Sequence, residues 1–419
     1  MENPILAHRK WPPSDLSELV LSETGIIDMA LKPSVKPKQN RALESDVRYG
    51  LLKKLYAGTA IKTDSLRNIA LLDRAVRISG AKPDFDLYPM IMDIRNAVAA
   101  VKSGEPVEQA PINDPKILVI TSPKTVCREK GVRRGELLYP LDLVVFIKSC
   151  ALCFEDRKRA RQTFVRPQMW GGFRVRFTFV VGLPNIHTSS VVTINGVKIE
   201  YRHARINDTS ELKYAREVLF RESNQHGDLL IGGFLDSYYN LTLKLTLTFR
   251  WASVFCLNQT PIFLFMDDDF DIIPVNMVRF VQKLSLDEKL LLIGGLSNIA
   301  KGPHRPSDDP RENKWAVSWD DYPWETYPGY LFGGAYMVGS SRVVDAAIAM
   351  AFTRPFHIDD TFLGLVWTKL HYFSLIIPGF VQTVHPGYKI NETIVALHSS
   401  VRKYVDWNSS ANWALVSSF

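Results

Sequence analysis

The chain has 419 residues, 46% of them hydrophobic and 23% charged. That is ordinary globular usage, and the length suits one large α/β domain with an appendage, or two or three domains. Its 51 Lys and Arg against 44 Asp and Glu leave a net charge of +7, but the two signs are interspersed. The densest basic cluster is Arg157-Lys-Arg-Ala-Arg161, so a nucleic-acid partner is disfavoured and a phosphate-bearing small ligand satisfies the charge equally well.

In chain order, residues 1–60 have little periodicity and several prolines, and read as an extended leader with no secretory signal. Leu66, Ile69, Leu72 and Val76 lie at helical spacing within Ser65–Ser79, stopped by Gly80, and Ile91–Lys102 is a second helical stretch. The polar segment 103–116 reads as a boundary between a partly helical N-terminal region, 1–110, and a main domain, 111–419. No run reaches the roughly 18 apolar residues of a membrane helix, so the chain as written is expected to be soluble.

From there strands alternate with helices. Leu141–Ile147 and Phe173–Val181 read as strands around the basic helix Glu155–Phe164. Val191–Tyr201 is a hairpin turning at Asn195-Gly196, followed by an amphipathic helix, Glu211–Asn224, and a short strand, Asp228–Ile231. The alternation predicts an α/β fold with a mainly parallel sheet. In the next segment Leu241, Leu243, Leu245, Leu247 and Phe249 alternate with Thr and Lys, a period of two that by itself predicts a strand.

Cys127, Cys150, Cys153 and Cys256 are compatible with two disulfides in any of three connectivities. Cys150-x-x-Cys153 resembles half a zinc site, without a second such pair. Asn-x-Ser/Thr sequons at Asn207, Asn240, Asn258, Asn391 and Asn408 weakly favour the secretory pathway.

The stretch Pro261-Ile-Phe-Leu-Phe-Met-Asp-Asp-Asp-Phe270 organises the rest. A continuously apolar run ending in three acids reads as a buried strand that terminates at a cation. If the chain stays extended, Asp267 and Asp269 face one side and Asp268 the other. Such an oxygen pair suits Mn²⁺ or Mg²⁺, and a solvated acidic turn is the competing reading.

Four further clusters stand out. Phe154-Glu-Asp-Arg157…Arg161-Gln-Thr-Phe164 either offers an arginine to a diphosphate or is a surface basic helix. Asp236-Ser-Tyr-Tyr-Asn-Leu-Thr-Leu-Lys244 is the second. Trp319-Asp-Asp-Tyr-Pro…Tyr327-Pro-Gly-Tyr-Leu-Phe-Gly-Gly-Ala-Tyr336 is either a sugar-stacking loop or a packed aromatic one. Phe356-His-Ile-Asp-Asp-Thr361 sets two acids at a helix start, where capping is the ordinary use.

In order and spacing these five clusters resemble the β-1,3-glycosyltransferase family (glycosyltransferase family 31) of β-1,3-galactosyl- and β-1,3-N-acetylglucosaminyltransferases. The insect brainiac-like branch is the nearest in style. The resemblance covers about residues 115–410. Phe164 stands where the family has Trp, Ala335 replaces the third Gly of the loop, Phe270 directly follows the triple acid, Asp359 stands for Glu and Thr361 for Val.

The resemblance implies a GT-A type nucleotide-sugar-binding domain with a mixed, mainly parallel sheet flanked by helices, and places 241–250 on a helix. It implies an inverting, Mn²⁺- or Mg²⁺-dependent transfer of galactose or N-acetylglucosamine from a UDP-sugar to the 3-hydroxyl of an acceptor glycan on a glycoprotein or glycolipid. Asp360 is then the base, with Asp359 beside it, and Asp269, Asp267 and His398 are the metal ligands. Asp267 and Asp268 adjoin the nucleotide, Arg161 and Lys244 balance phosphate charge, and Asp236 meets uridine hydroxyls. Trp319, Tyr327 and Tyr330 stack on sugar. The family also implies a type II protein of the Golgi membrane, although no anchor is visible in this sequence. A non-catalytic binding relative and a fringe-like transferase acting on protein-linked sugars are the alternatives.

Overall fold

The computed structural model describes residues 27–28 and 92–404, except 108, 114, 116, 128–138, 187–190, 195–196, 201–205, 299–301, 385–387 and 389–390. The expected Ser65–Ser79 helix, the Asn195-Gly196 turn and the Asn408 sequon lie outside the described residues, as does the leader apart from 27–28.

The main sheet has nine strands: β1 (Ile27–Asp28), β2 (Leu118–Thr121), β3 (Leu143–Lys148), β4 (Val175–Leu183), β7 (Leu229–Leu235), β8 (Ile262–Asp267), β10 (Ile293–Asn298), β11 (Tyr330–Gly339) and β12 (Leu375–Ile376). Their order is β1-β2-β7-β4-β3-β8-β11-β10-β12. The central strands β7, β4, β3 and β8 run parallel, while β2 and β11 flank them antiparallel. An antiparallel hairpin, β5 (Val191–Ile194) with β6 (Val197–Glu200), stands apart. A second small sheet joins β13 (Phe380–Val381), β14 (Ala396–His398) and β9 (Phe270–Ile272).

Strand β3 shows why the centre is covered on both faces. All its residues are buried. Val144 and Phe146 enter one apolar cluster while Leu143, Val145 and Ile147 enter another, as alternation across a strand requires. The helices are α1 (Ile94–Ser103), α2 (Phe154–Gln162), α3 (Thr209–His226), α4 (Leu241–Phe255), α5 (Pro274–Lys283), α6 (Leu286–Leu291), α7 (Ser340–Ala349) and α8 (Asp359–Lys369). Helices α1, α4, α7 and α8 supply the first cluster, and α2, α3 and α5 the second. This is the mixed α/β architecture expected of a GT-A type domain. Helix α1 lies in the stretch read as N-terminal region, yet it buries Ile94, Ala97, Val98 and Val101 in the main core. Asp93 caps it by accepting from Arg95 N, and Gly104 closes it at φ 72°. Among the described residues no helix is long and apolar enough to cross a membrane.

The period-two segment is helix α4, against the pattern and as the resemblance implies. Nearly every residue from Thr242 to Val254 is buried, and a helix buried all round has no polar face to impose a 3.6-residue period. The threonines fit because Thr246 and Thr248 donate their hydroxyls to the carbonyls of Thr242 (2.8 Å) and Lys244 (2.7 Å).

The four cysteines form Cys127–Cys256 and Cys150–Cys153. The half zinc site is therefore a disulfide, and the one Cys/Asp group with metal-like proximity among the described residues, Cys153 with Asp156 and Asp268, lacks a free thiolate.

Candidate active site

A cavity of about 750 Å³ opens beyond the carboxyl ends of β3 and β8, where parallel strands of α/β sheets offer ligands their site. Its floor is set by register. Lys148 ends β3 directly beside Asp267, which ends β8. Both project to the face occupied by Phe146, Phe265 and Phe249, which stack on one another.

The chain does not stay extended through the three acids. It turns at Asp268-Asp269 and enters β9, so Asp267 and Asp269 have different surroundings. Asp267 Oδ1 lies 3.0 Å from Lys148 Nζ. Asp269 Oδ2 lies 3.0 Å from His398 Nε2, and Ser399 N donates to Asp269 O (2.7 Å). Strand β14 delivers that histidine, since His398 pairs with Phe270 in the small sheet. His398 Nδ1 lies 2.6 Å from Ser400 Oγ, a hydroxyl that can accept an Nδ1–H and so leave Nε2 as the donor atom for a cation. Asp268 lines the cavity with a buried Oδ2 that has no hydrogen-bond partner, and burial raises its pKa.

A divalent cation fits one part of this set. Asp269 is about half exposed at 53%, and a carboxylate oxygen beside an imidazole nitrogen is a donor pair suited to Mn²⁺. Asp267 fits less directly, because one of its oxygens is already held by Lys148.

The second acid pair opens helix α8. Asp359 is buried and its Oδ2 lies 2.7 Å from Lys148 Nζ. Asp360 faces the cavity; its Oδ1 accepts from Thr361 N (2.7 Å) and its Oδ2 from Gly333 N (3.2 Å). A Cβ at Gly333 would sit 3.1 Å from Asp360 Cβ, so glycine permits the close backbone approach that the Gly-Gly motif predicts.

Lys148 therefore joins the two acid clusters, 7% exposed and ion-paired to both. Burial alone would lower its pKa, but Asp267 and Asp359 outweigh that and hold it well above the usual lysine range. Burial pushes Asp267 up to about 7 against the pull of Lys148. Burial, then the neighbouring Asp359, pushes Asp360 up to about 7 as well. A carboxylate so placed is half-protonated near neutrality and able to take a proton from a hydroxyl.

The remaining expected residues divide. Asp236 and Lys244 line the cavity and hold each other at 2.8 Å. Lys244 also donates to Ser149 O (2.6 Å), and Asp236 Oδ2 accepts from Gly182 N (3.0 Å). Tyr327 and Tyr330 line the cavity but are nearly buried, Tyr327 lying parallel to Phe356 at 6.1 Å. Trp319 is not among the lining residues; Arg305 covers its ring at 3.5 Å.

Arg161 also lies outside the lining. Asp228 holds it through two hydrogen bonds of 2.8 Å, and Glu222 through one of 2.7 Å. Its expected contact with the diphosphate has no support in this geometry. The basic helix is instead a strut. Arg157, fully buried, binds Glu222 and donates to Ser149 Oγ and to the carbonyls of Cys150 and Ala151, which fixes the cavity wall. Arg159 ties Asp271 to the Asp268 carbonyl.

Reading the sequence missed Lys148, whose signal is a cation ending an otherwise apolar strand. It also missed Tyr238, Lys314 and Trp315, all of which line the cavity.

Comparison with known proteins bears on the same residues. Residues 207–372 match the family model described as Galactosyltransferase. A lactosylceramide 1,3-N-acetyl-β-D-glucosaminyltransferase B of Danio rerio is 30% identical over 53% of this chain and 52% of its own. The β-1,3-galactosyltransferase brn of Drosophila melanogaster is 33% identical over 35% of this chain and 44% of its own. A lactosylceramide 1,3-N-acetyl-β-D-glucosaminyltransferase of Homo sapiens is 26% identical over 54% of each. The chain thus spans about half the length of the curated relatives it matches. The segment that matches the galactosyltransferase family model carries the Asp236–Lys244 pair, both acid clusters and the Gly-Gly loop, with Lys148 and His398 completing the cavity from outside it.

Proposed function

We propose that the protein is an inverting, metal-dependent hexosyltransferase that moves galactose or N-acetylglucosamine from a UDP-sugar to the 3-hydroxyl of an acceptor glycan. The observation that carries this reading is one cavity in which the Asp269–His398 pair and Asp360 stand apart, while Lys148 is ion-paired to their neighbours Asp267 and Asp359. Asp269 and His398 would hold Mn²⁺. When bound, the ion neutralises charge gathering on the departing diphosphate.

This chain's own residues do the rest. Asp360, ionised, accepts the proton of the acceptor hydroxyl through a carboxylate oxygen. The freed oxygen forms its bond to the anomeric carbon as the bond from that carbon to UDP breaks on the opposite face, and UDP leaves with the electron pair. The N–H groups of Gly333 and Thr361 hold Asp360 in orientation. Lys148, ion-paired to both Asp267 and Asp359, offsets the repulsion between the two acid clusters. Asp236 and Lys244 shape the nucleotide end of the cavity, with Asp268 adjoining it. Names of relatives that act on lactosylceramide make a glycolipid a reasonable acceptor to assay beside glycoprotein glycans. Two disulfides suit an oxidising lumen such as the Golgi.

The test is a panel of UDP-sugars and simple glycan acceptors with Mn²⁺. Transfer from UDP-galactose or UDP-N-acetylglucosamine, lost on chelation, is expected. Tight UDP binding without any transfer would favour a non-catalytic relative, and transfer that survives chelation would remove the metal.

A further inference from the structure

Stacking on sugar was expected of Trp319, yet Arg305 covers that ring. A more open aromatic at the cavity is Trp315, 51% exposed, with the His304 ring centre 6.4 Å from its own. It is not a loose surface side chain. It ends a short 3-10 turn, Asn313–Trp315, anchored by the buried Asn313. That amide donates to Lys198 O (2.8 Å) and Ser307 O (2.7 Å) and accepts from Ser307 N (2.8 Å). On the far side the backbone is pinned by the His304–Ala316 bridge and by Val317 N donating to His304 O (2.8 Å).

The neighbouring lysine connects this indole to the acid site. Lys314 Nζ lies 5.0 Å from the Trp315 ring centre and 4.9 Å from that of Tyr238, so it bridges two aromatic faces at cation–π distance. Tyr238 lies on the stretch that packs against the residues leading into Asp359: the neighbouring Tyr239 ring is 5.4 Å from that of His357, and Thr242 donates its hydroxyl to the Phe356 carbonyl. Its phenol lines the same cavity as Asp359 and Asp360, a hydrogen-bond donor on the wall of the proposed base. An exposed indole, an exposed cation between two aromatic rings and a phenol donor on one wall offer what a sugar ring needs: an apolar surface for its C–H face and polar groups at its rim.

We propose that Trp315, Lys314 and Tyr238 form the acceptor subsite, taking a pyranoside with its C–H face against the Trp315 indole and a hydroxyl toward Tyr238; this rests on the transfer reading above. The acceptor side is assigned because the wall adjoins Asp359 and Asp360, where the acceptor hydroxyl must lose its proton.

The test measures binding of methyl β-D-pyranosides of galactose, glucose, mannose and N-acetylglucosamine by calorimetry. The full chain, wild-type, Trp315→Ala, Trp315→Phe and Lys314→Met, is first loaded with UDP and Mn²⁺. At least one pyranoside should bind the wild type, on the order of tenfold more weakly to Trp315→Ala, with most affinity regained in Trp315→Phe and UDP affinity constant throughout. In turnover the acceptor KM should rise while the UDP-sugar KM stays level. Absence of pyranoside binding, equal binding by wild type and Trp315→Ala, or a loss falling on UDP instead would each overturn the assignment. Trp315-dependent pyranoside binding without transfer to any acceptor would sink the transfer reading and leave the subsite standing. Melting temperatures separate these outcomes from misfolding, and Trp315→Phe carries the comparison if the alanine variant does not fold.

Discussion

Asp267–Asp269 and Asp359–Asp360 look alike as sequence, two short runs of acid, but the fold gives them opposite backbones. The first ends a strand and breaks into a turn, so its carboxylates splay: one to Lys148, one to His398, one with an oxygen buried alone. The second opens a helix, so its carboxylates are held together, one buried against Lys148 and the other fixed by two backbone N–H groups. Burial raises a pKa in each set, at Asp267 and at Asp360, so the difference is geometric: a splayed set can give an open oxygen to a cation, whereas the helix start holds one carboxylate oriented by backbone N–H groups, as the proposed base requires. Chemistry follows from the backbone that presents the acid more than from the acid itself.

Removing the bridge should break this contrast most completely. Lys148→Met leaves Asp267 and Asp359 facing each other without a cation, and loss of one partner from a buried ion pair costs about 3–5 kcal/mol. The expected outcome is a large fall in melting temperature together with loss of transfer; an unchanged melting temperature would mean the bridge is not structural. Asp360→Asn tests the helix side alone. Transfer should drop by about 10²- to 10⁴-fold while Mn²⁺-dependent UDP binding, followed by calorimetry, stays intact. A collapse of UDP binding would recast Asp360 as structural.

The strand side answers to different changes. Asp269→Asn or His398→Ala should weaken UDP binding in Mn²⁺ on the order of 10- to 100-fold, and little in its absence. If both affinities move equally, the pair does not hold metal. A gentler probe is pH. Because the Asp360 pKa is raised to about 7, the base is ionised above that value and protonated below it. Log kcat/KM should therefore bend near pH 7, falling about fivefold from pH 7 to 6, and approach unit slope below that, about tenfold from pH 6 to 5. A profile flat to pH 5 would place the base elsewhere. The smallest effect on turnover belongs to Arg161→Ala. Stripping Asp228 and Glu222 of their shared partner should cost about 1–3 kcal/mol of stability and leave the UDP-sugar KM unmoved, whereas a raised KM would return this arginine to the diphosphate.

Much of the architecture was legible because its signals are local. The apolar run into Asp267, the alternation of strands and helices, and the glycines beside Tyr336 each act within a few residues. What escaped depends on partners far apart in sequence. Helix α4 reads as a strand until burial on every side is known. The ion pairs that hold Arg161 are likewise not visible in its own segment, since Asp228 is brought to it from 67 residues away. Lys148 carries no motif meaning alone; it matters because β8 is laid beside β3 in register. Trp319 and Trp315 stand four residues apart, and only the fold decides that Arg305 lies over the first while the second lines the cavity half exposed.

The small sheet that carries His398 has a consequence for how the protein comes into being. Asp269 and its histidine are 129 residues apart, and between them the chain must lay down β10, β11 and α8 before β14 can pair with β9. The proposed base is therefore synthesised before the proposed cation pair can be completed. On that reading β14, the last strand among the described residues, would be the arming step, and metal-dependent nucleotide binding would report that it has docked on β9.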